Sequence, residues 1–278
     1  MVDGEALKAK AQAFRLMHRG PKILVLPNAW DAVSARILAE AGFGAIATTS
    51  GGIAFSLGYP DGQHIARDEM LAVVRRIASA VKVPVTADVE AGYGKRPEDA
   101  RRTAEAVIEA GAVGMNFEDA TGERERPLED LTLQLEKIAA VKEAARAAAV
   151  PIVLNARTDV FLLEVGPAEK RYAEAVRRLS AFRDGGADCV FLPGVRDRET
   201  IERAVRDLKC PVNILAGPGS PPVTELQKLG VARVSVGSGL TRATLGSLRK
   251  MAIELKNRGT YESLEIGIPY AELNRLMA

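Results

Sequence analysis

The chain has 278 residues, 47% hydrophobic and 27% charged, enough for one large buried core beneath an ordinary hydrated surface. Its 38 Lys and Arg against 36 Asp and Glu leave a formal charge of +2, with both signs mixed along the chain, which excludes the clustered basic surface a nucleic-acid partner needs. Cys189 and Cys210 make neither a disulfide framework nor a metal spacing, no run approaches the roughly 18 apolar residues of a membrane span, and the opening stretch through Phe14 lacks the apolar core of a secretory signal, so the expected location is the cytoplasm.

Along the chain, short apolar, β-branched runs alternate with longer helical patterns. Residues 5–18 read as an amphipathic helix that precedes the first apolar run, 23–26. Asp31 is placed to cap a helix carrying Val33, Ile37 and Leu38, with Gly42 just past its end. A second strand, 45–49, runs into Ser50-Gly51-Gly52. The third strand is 83–88, followed by a helix over 98–110 entered through Pro97 and closed by Gly111. Strand 113–118 leads to a helix over 127–148 with Leu131, Leu135, Ile138 and Val141 on one face. Strand 152–156, helix 167–183, strand 189–192, helix 197–208, strand 212–215, helix 223–229, strand 233–236 and helix 239–258 complete the series, and 259–278 reads as a further helical addition. Pro84, Pro151 and Pro211 lie at strand entries, where a missing N–H is tolerated.

Strands that are continuously hydrophobic, not alternating, are covered on both faces, as in parallel sheets. Eight strand–helix units without a composition break predict a single (β/α)8 TIM-type barrel over 1–278, with an N-terminal helical extension at 1–20 and a C-terminal helical region at 239–278. The alternative, an open doubly wound sheet, calls for a glycine-rich dinucleotide loop after an early strand. The first strand here runs instead into Leu26-Pro27-Asn28-Ala29-Trp30. The terminal helices must cover their apolar faces against the barrel or against a neighbouring subunit.

Barrel enzymes draw their active-site groups from strand C-terminal ends and the loops after them. Those positions here hold Ser50-Gly51-Gly52 and Asp61 after the second strand, Asp88 and Glu90 at the third, Asn116, Glu118 and Asp119 at the fourth, and Arg157 and Asp159 at the fifth. Each acid alone is as readily a helix cap or a lysine partner. Together, without a cation, they would repel and rise in pKa. An oxygen-only ligand set favours Mg²⁺, or Mn²⁺, over zinc, and with only 2 histidines in the chain a histidine-built site is not expected. The paired glycines make a tight turn, or they let backbone N–H groups approach a substrate oxygen. Arg157 suits a bidentate grip on a carboxylate, or an ion pair with Glu118 or Asp159.

The segments Pro27-Asn28-Ala29-Trp30-Asp31-Ala32, Thr49-Ser50-Gly51-Gly52, Gly58-Tyr59-Pro60-Asp61, Asp88-Val89-Glu90-Ala91-Gly92-Tyr93-Gly94, Phe117-Glu118-Asp119 and Asn155-Ala156-Arg157-Thr158-Asp159 resemble, in order and spacing over about residues 22–250, the isocitrate lyase/phosphoenolpyruvate mutase superfamily. The resemblance implies a Mg²⁺ enzyme that makes or breaks C–C or P–C bonds through an oxyanion or enolate of a 2-oxo acid. It puts Asp88 nearest the metal, with Asp61, Glu90 and Glu118 holding it directly or through waters. Ser50, Gly51 and Gly52 would bind the oxo-acid oxygens, Arg157 a carboxylate, and Asn213 would join the substrate-binding set; Asp61, Asp88 and Arg157 are the expected catalytic residues. It also implies homo-oligomers, dimers or tetramers, that exchange the helix after the last strand.

The departures narrow the chemistry. Lyases of the superfamily carry a Lys-Lys-Cys-Gly-His loop after the fourth strand, with the cysteine as proton donor. Residues 120–127 here read Ala-Thr-Gly-Glu-Arg-Glu-Arg-Pro, and Thr48 and Thr49 stand where the lyases tend to have a tyrosine before Ser-Gly-Gly. Cys189 and Cys210 fall where small buried hydrophobes are expected. Decarboxylation of oxaloacetate or a relative needs no thiol and is the favoured reading. Arg124 or Arg126 would reach the second carboxylate, or remain solvated loop charges. The alternatives are P–C bond chemistry of the phosphonopyruvate hydrolase or phosphoenolpyruvate mutase type, a methylisocitrate lyase-like C–C lyase, a retro-aldol on another 2-hydroxy acid with Tyr93 or His64 moving protons, and a non-catalytic 2-oxo-acid binding protein.

Overall fold

Nine parallel strands, buried along almost their whole length, form one sheet in the computed structural model, which describes residues 4–278. They are β1 (Leu24–Leu26), β2 (Asn28–Ala29), β3 (Ile46–Thr48), β4 (Val85–Asp88), β5 (Gly114–Glu118), β6 (Val153–Arg157), β7 (Cys189–Phe191), β8 (Val212–Leu215) and β9 (Arg233–Ser235). From β3 to β9 each strand pairs with the next. β1 pairs with β9 while β2 pairs with β3, so these two short pieces are one barrel strand interrupted at Pro27. The expected eight-stranded barrel is therefore present, with its first strand broken.

The break follows from proline chemistry and is repaired by a neighbour. Pro27 has no N–H to give to a ladder, but its carbonyl accepts from Ala47 N at 3.0 Å. The Asn28 side chain does the rest. Its Oδ1 accepts from Val236 N and Gly237 N, each at 2.9 Å, and its Nδ2 donates to Thr48 O at 2.7 Å. One buried amide thus satisfies three backbone groups where the last and first barrel strands part.

Among the described residues eleven α-helices surround the sheet: α1 (Gly4–Met17), α2 (Ala32–Glu40), α3 (Ser50–Ser56), α4 (Arg67–Ala80), α5 (Pro97–Glu109), α6 (Leu131–Ala147), α7 (Ala168–Asp184), α8 (Arg198–Leu208), α9 (Val223–Lys228), α10 (Gly239–Arg258) and α11 (Tyr270–Met277). Among the described residues none is long and apolar enough to cross a membrane. α2 carries its expected cap, Ser34 N donating to Asp31 Oδ1 at 2.7 Å. α4 is additional to the sequence expectation. Its Met70, Leu71, Val74 and Ile77 are buried at helical spacing, but its N-cap, Ala66, makes no side-chain bond, so no start signal advertises it. α6 begins at Leu131, four residues later than position 127, because Asp130 caps it by accepting from Thr132 N and Leu133 N.

The N-terminal extension closes the barrel floor of its own chain, although residues 1–3 of the expected segment lie outside the described residues. Leu7, Ala11 and Phe14 of α1 are buried, and Phe14 stands against Gly114 at the start of β5, where even a Cβ would lie 2.9 Å from the ring. Arg15 donates to Pro151 O and Ile152 O and pairs with Asp188 at 2.8 Å. At the other end, α11 returns to α2, where Arg36 donates to Leu276 O at 2.7 Å. α10 behaves differently: it buries only Thr241 and Glu254, while Leu245, Leu248, Ile253 and Leu255 are exposed. Replacing Phe14 by Ala, which removes a wholly buried ring, is expected to lower unfolding free energy by about 3–5 kcal/mol in urea titrations.

Candidate functional site

Asp88, at the end of β4, is gripped from both sides. Its Oδ2 accepts from Ser50 N at 3.1 Å and Ser50 Oγ at 3.0 Å. Its Oδ1 accepts from Asn116 Nδ2 at 3.4 Å, and its own N–H donates to Thr48 Oγ1 at 2.9 Å. The Ser50-Gly51-Gly52 segment supplies this grip as a helix start and not as the tight turn that glycine pairing suggests. Thr49 caps α3, its Oγ1 accepting from Gly52 N at 3.3 Å. Of the three amides, Ser50 serves Asp88 and Gly52 serves Thr49; Gly51 N–H has no acceptor among the described residues. A Cβ on Gly51 would stand 2.8 Å from Asp61 Oδ2, so the missing side chain lets Asp61 lie directly over the start of α3.

A sharp turn beyond β4 presents Glu90. Glu90 has φ 51° and Tyr93 φ 57°, both left-handed, and Gly92 has φ 86°. A Cβ at Gly92 would stand 2.6 Å from the Phe117 ring, so only glycine fits. Tyr93 hydroxyl donates to Glu90 Oε1 at 3.3 Å, and Tyr93 N donates to Gln63 Oε1 at 2.8 Å, tying this turn to the loop after α3. Across the rim, Arg157 pairs with Glu118 at 2.8 Å and with Asp159 through Nε at 2.5 Å and a second nitrogen at 2.8 Å. Its guanidinium also lies 5.7 Å from the Phe191 ring centre. Both sequence-level ion pairs of Arg157 therefore form at once, and no branch of its fork is left over.

The electrostatics reflect a shortage of positive charge. Burial and then Asp88 and Asp61 push Glu90 up to about 7. Asp61, exposed at the rim, is raised by partial desolvation and by Asp88. Burial raises Glu118 well above the usual carboxylate range even though Arg157 opposes the shift. Burial works against the Arg157 charge, and Glu118 and Asp159 more than offset it, holding this arginine firmly cationic. Burial and Glu90 raise Tyr93, which stays a neutral donor. Among the described residues no three acid, His or Cys side chains converge closely enough to cage an ion by themselves.

Other expected residues fall outside this cluster. Asn213 is wholly buried on β8, where its Nδ2 donates to Ser235 Oγ at 3.3 Å. His64 is exposed beyond Asp61. Asp119 is turned away from the acids and anchors the fold behind them, accepting from Arg178, Thr158 and the Asp159 amide at 2.7, 2.7 and 3.0 Å. Cys189 is buried, and burial pushes it up to about 12; Cys210 rises to about 11 for the same reason. Arg124 is exposed, and Arg126 pairs with Glu123 and, at 3.8 Å, with Glu129. A cavity of about 390 Å³ opens beside the Glu90 turn, walled by Gln63, Tyr93, Lys95, Thr121, Arg126 and Lys137 among others. Loop 120–127 is pinned beside it, with Lys95 pairing to Glu123 at 2.8 Å and Thr121 N donating to Pro127 O. Sequence reading gave no role to Thr48, Gln63 and Asn116, which steer the acids; single polar residues inside or beside strand runs carry no periodic signal.

Residues 14–256 match the family profile described as phosphoenolpyruvate phosphomutase. The chain belongs to that family. It is 34% identical to the uncharacterized protein Rv1998c of Mycobacterium tuberculosis over 264 residues, covering 94% of each chain. It is 28% identical over 268 residues to 2-methylisocitrate lyase of Salmonella typhimurium, covering 93% of this chain and 89% of the relative. An oxaloacetate decarboxylase of Rhodopseudomonas palustris is 28% identical over 235 residues, 82% of this chain and 78% of that one. Among solved structures, a Burkholderia cenocepacia J2315 protein named only provisionally as a lyase/mutase superposes with TM-score 0.93 at 40% identity, covering 99% and 97% of the two chains. Phosphonopyruvate hydrolase complexed with oxalate and Mg²⁺ superposes at 0.85 with 25% identity, covering 96% and 94%. The phosphoenolpyruvate phosphomutase family, and the wider superfamily with isocitrate lyase, thus holds this chain among carbon–carbon lyases and mutases.

Glu90 keeps a proton in the folded protein that the unfolded chain loses near 4.5, its own value being about 7. The stability this contributes is complete below 4.5 and is lost as pH rises through 7. Without divalent cations, the thermal midpoint of this family member is expected to fall across that window. Differential scanning fluorimetry in EDTA at several pH values measures the effect.

Proposed function

We propose that the chain is a Mg²⁺-dependent lyase acting on a small 2-oxo acid, and that its reaction is decarboxylation of oxaloacetate or a close relative. The observation that carries this reading is a rim of buried, mutually repelling carboxylates, Asp88, Glu90 and Glu118 with Asp61 above them, served by one guanidinium and lacking any thiol. That donor set suits Mg²⁺ or Mn²⁺, and the absence of a ready-made cage suits a cation that keeps several of its waters. Asp61, Asp88, Glu90 and Glu118 would hold it. When bound, the ion supplies Lewis-acid polarisation of the 2-oxo acid's chelating oxygens.

The chain's own residues do the rest. Ser50 hydroxyl and the Gly51 amide donate to the oxo-acid oxygens, and Gly52, where a Cβ would meet Thr241, Thr49 and Trp30, lets the start of α3 pack closely enough to present them. Arg157 binds a substrate carboxylate as its pair with Glu118 gives way, which would leave Glu118 free to help hold the cation. The C3–C4 bond of oxaloacetate then breaks, CO₂ leaves, and the electron pair passes into the C2 carbonyl. A proton from water at C3 yields pyruvate, a step that makes no demand on Cys189 or Cys210.

Lys95 and Arg126 on the cavity wall favour a second reading, P–C chemistry on phosphonopyruvate, because they put cations where a phosphonate would need them. Purified protein with Mg²⁺ is expected to form pyruvate from oxaloacetate well above the rate of the ion alone, with Asp88→Ala lowering that activity by about 10³-fold or more. Equal rates for Asp88→Ala and wild type would sink the lyase reading, and turnover of phosphonopyruvate or 2-methylisocitrate in preference would move the assignment to that bond. Tight 2-oxo-acid binding without turnover would make the chain a binding protein.

The exposed Leu245, Leu248, Ile253 and Leu255 of α10 support a homo-oligomer in which a second copy covers this helix. Leu248→Glu with Ile253→Glu is expected to shift the mass measured by light scattering to that of the monomer.

A further inference from the structure

Arg233, at the start of β9, is an arginine with no carboxylate beside it. It is wholly buried and is the largest fully buried side chain among the described residues. Its NH2 group donates to Asn116 Oδ1 at 3.1 Å, its NH1 group lies 3.5 Å from His18 Nε2, and its Nε has no partner among the described residues. His18 brings no opposing charge. Its Nδ1 is bonded to Phe14 O at 2.9 Å and so carries the hydrogen, which leaves Nε2 as a neutral acceptor. Burial and Arg233 itself lower His18 to about 4. Asp188, an acid of the barrel floor at the entry of β7, is already taken by Arg15, Lys142 and the Leu154 amide.

An unpaired buried charge is expensive, and Arg233 makes sense only in relation to charges further along. Asn116 provides the link. Its Oδ1 accepts from Arg233 and, at 2.7 Å, from Asn155 Nδ2, which fixes the amide so that its Nδ2 points at Asp88. Asp88, Asn116 and Asn155 occupy matching register positions on β4, β5 and β6, so they form a polar row across the barrel between the floor and the acid rim. Burial pulls Arg233 down only to about 10, and Asp88 is among the groups holding its charge; it is cationic at neutral pH.

We propose that Arg233 is a built-in counter-charge for the acid rim, acting through Asn116 on Asp88. It lets the carboxylates fold together before a divalent cation arrives and competes with that cation once it binds. The inference rests on the metal reading above. Arg233 touches no reacting atom; it is a positioning residue that sets the charge balance of the site.

The consequence has an unusual sign. Arg233→Met, which fills the space without charge, and Arg233→Gln, which keeps a donor toward Asn116, are expected to lower the stability of the cation-free protein. Both are expected to bind Mn²⁺ at least about tenfold more tightly than wild type, a lower bound for loss of a unit charge two hydrogen bonds from a divalent ion's ligand in a medium of effective dielectric about 20. Mn²⁺ titrations followed by electron paramagnetic resonance read this directly, without substrate. Phe14→Ala, a floor variant that loses stability without losing charge, should leave Mn²⁺ affinity unchanged. If whichever of the Arg233 variants folds binds Mn²⁺ with wild-type or weaker affinity, Arg233 is a structural residue and the proposal falls. A wild type that binds no Mn²⁺ removes the metal reading and this proposal with it.

Discussion

Three carboxylates buried at one end of a parallel barrel, with a fourth above them, impose the constraint around which the rest of the molecule is arranged. Like charges in a medium of low polarisability repel far more strongly than in water, and Asp88, Glu90 and Glu118 share that environment. The structure meets the strain in stages. Asp88 receives the Ser50 amide, the Ser50 hydroxyl and the Asn116 amide, Glu118 receives Arg157, and Glu90 receives the Tyr93 hydroxyl. Burial with Asp88 and Asp61 nevertheless pushes Glu90 up to about 7, and burial raises Glu118 well above the usual carboxylate range against the pull of Arg157. The imbalance between acids and cations is what the proposed divalent ion would relieve.

Such an arrangement demands a rigid frame, and the barrel supplies it from below. The α1 helix closes the floor with Phe14 and with Arg15, whose fork reaches the entries of β6 and β7. Above it, the polar row of Arg233, Asn155 and Asn116 replaces what would otherwise be an apolar layer. Hydrogen bonds constrain direction as well as distance, so this layer transmits the geometry of the floor to Asp88 in a way that packed methyl groups do not. Behind the rim, Asp119 and Arg178 tie α7 to the loop between β6 and α7, keeping Asp159 in place under Arg157.

The fold was legible because parallel strands covered on both faces must be hydrophobic throughout, and these runs are short, β-branched and separated by helical periods. The acids were legible because they stand at strand ends, where a barrel exposes chemistry, beside glycines that a buried turn requires. Gly51 and Gly52 misled as to form: a glycine pair reads as a turn, and nothing local reveals that Thr49 caps them into a helix. α4 escaped notice because its entry has no capping side chain, although its apolar spacing is plain. Asn116, Asn155 and Arg233 were silent for a deeper reason. Their meaning lies in contacts between strands far apart in the chain, and a lone polar residue in an apolar run predicts no partner. Arg157 was half legible: its ion pairs were foreseen as alternatives, whereas the structure makes both.

Asn28 gives the barrel a seam of a different kind from the rest of its wall. Elsewhere neighbouring strands are joined by repeated backbone bonds, each replaceable by the next. At the Pro27 break the joint is a single carboxamide serving Val236, Gly237 and Thr48. A carboxamide can hydrolyse, and the resulting carboxylate has no hydrogen to give to Thr48 O. Hydrolysis of that one side chain would therefore disturb at a stroke a joint whose three bonds are, elsewhere in the wall, spread over separate backbone groups.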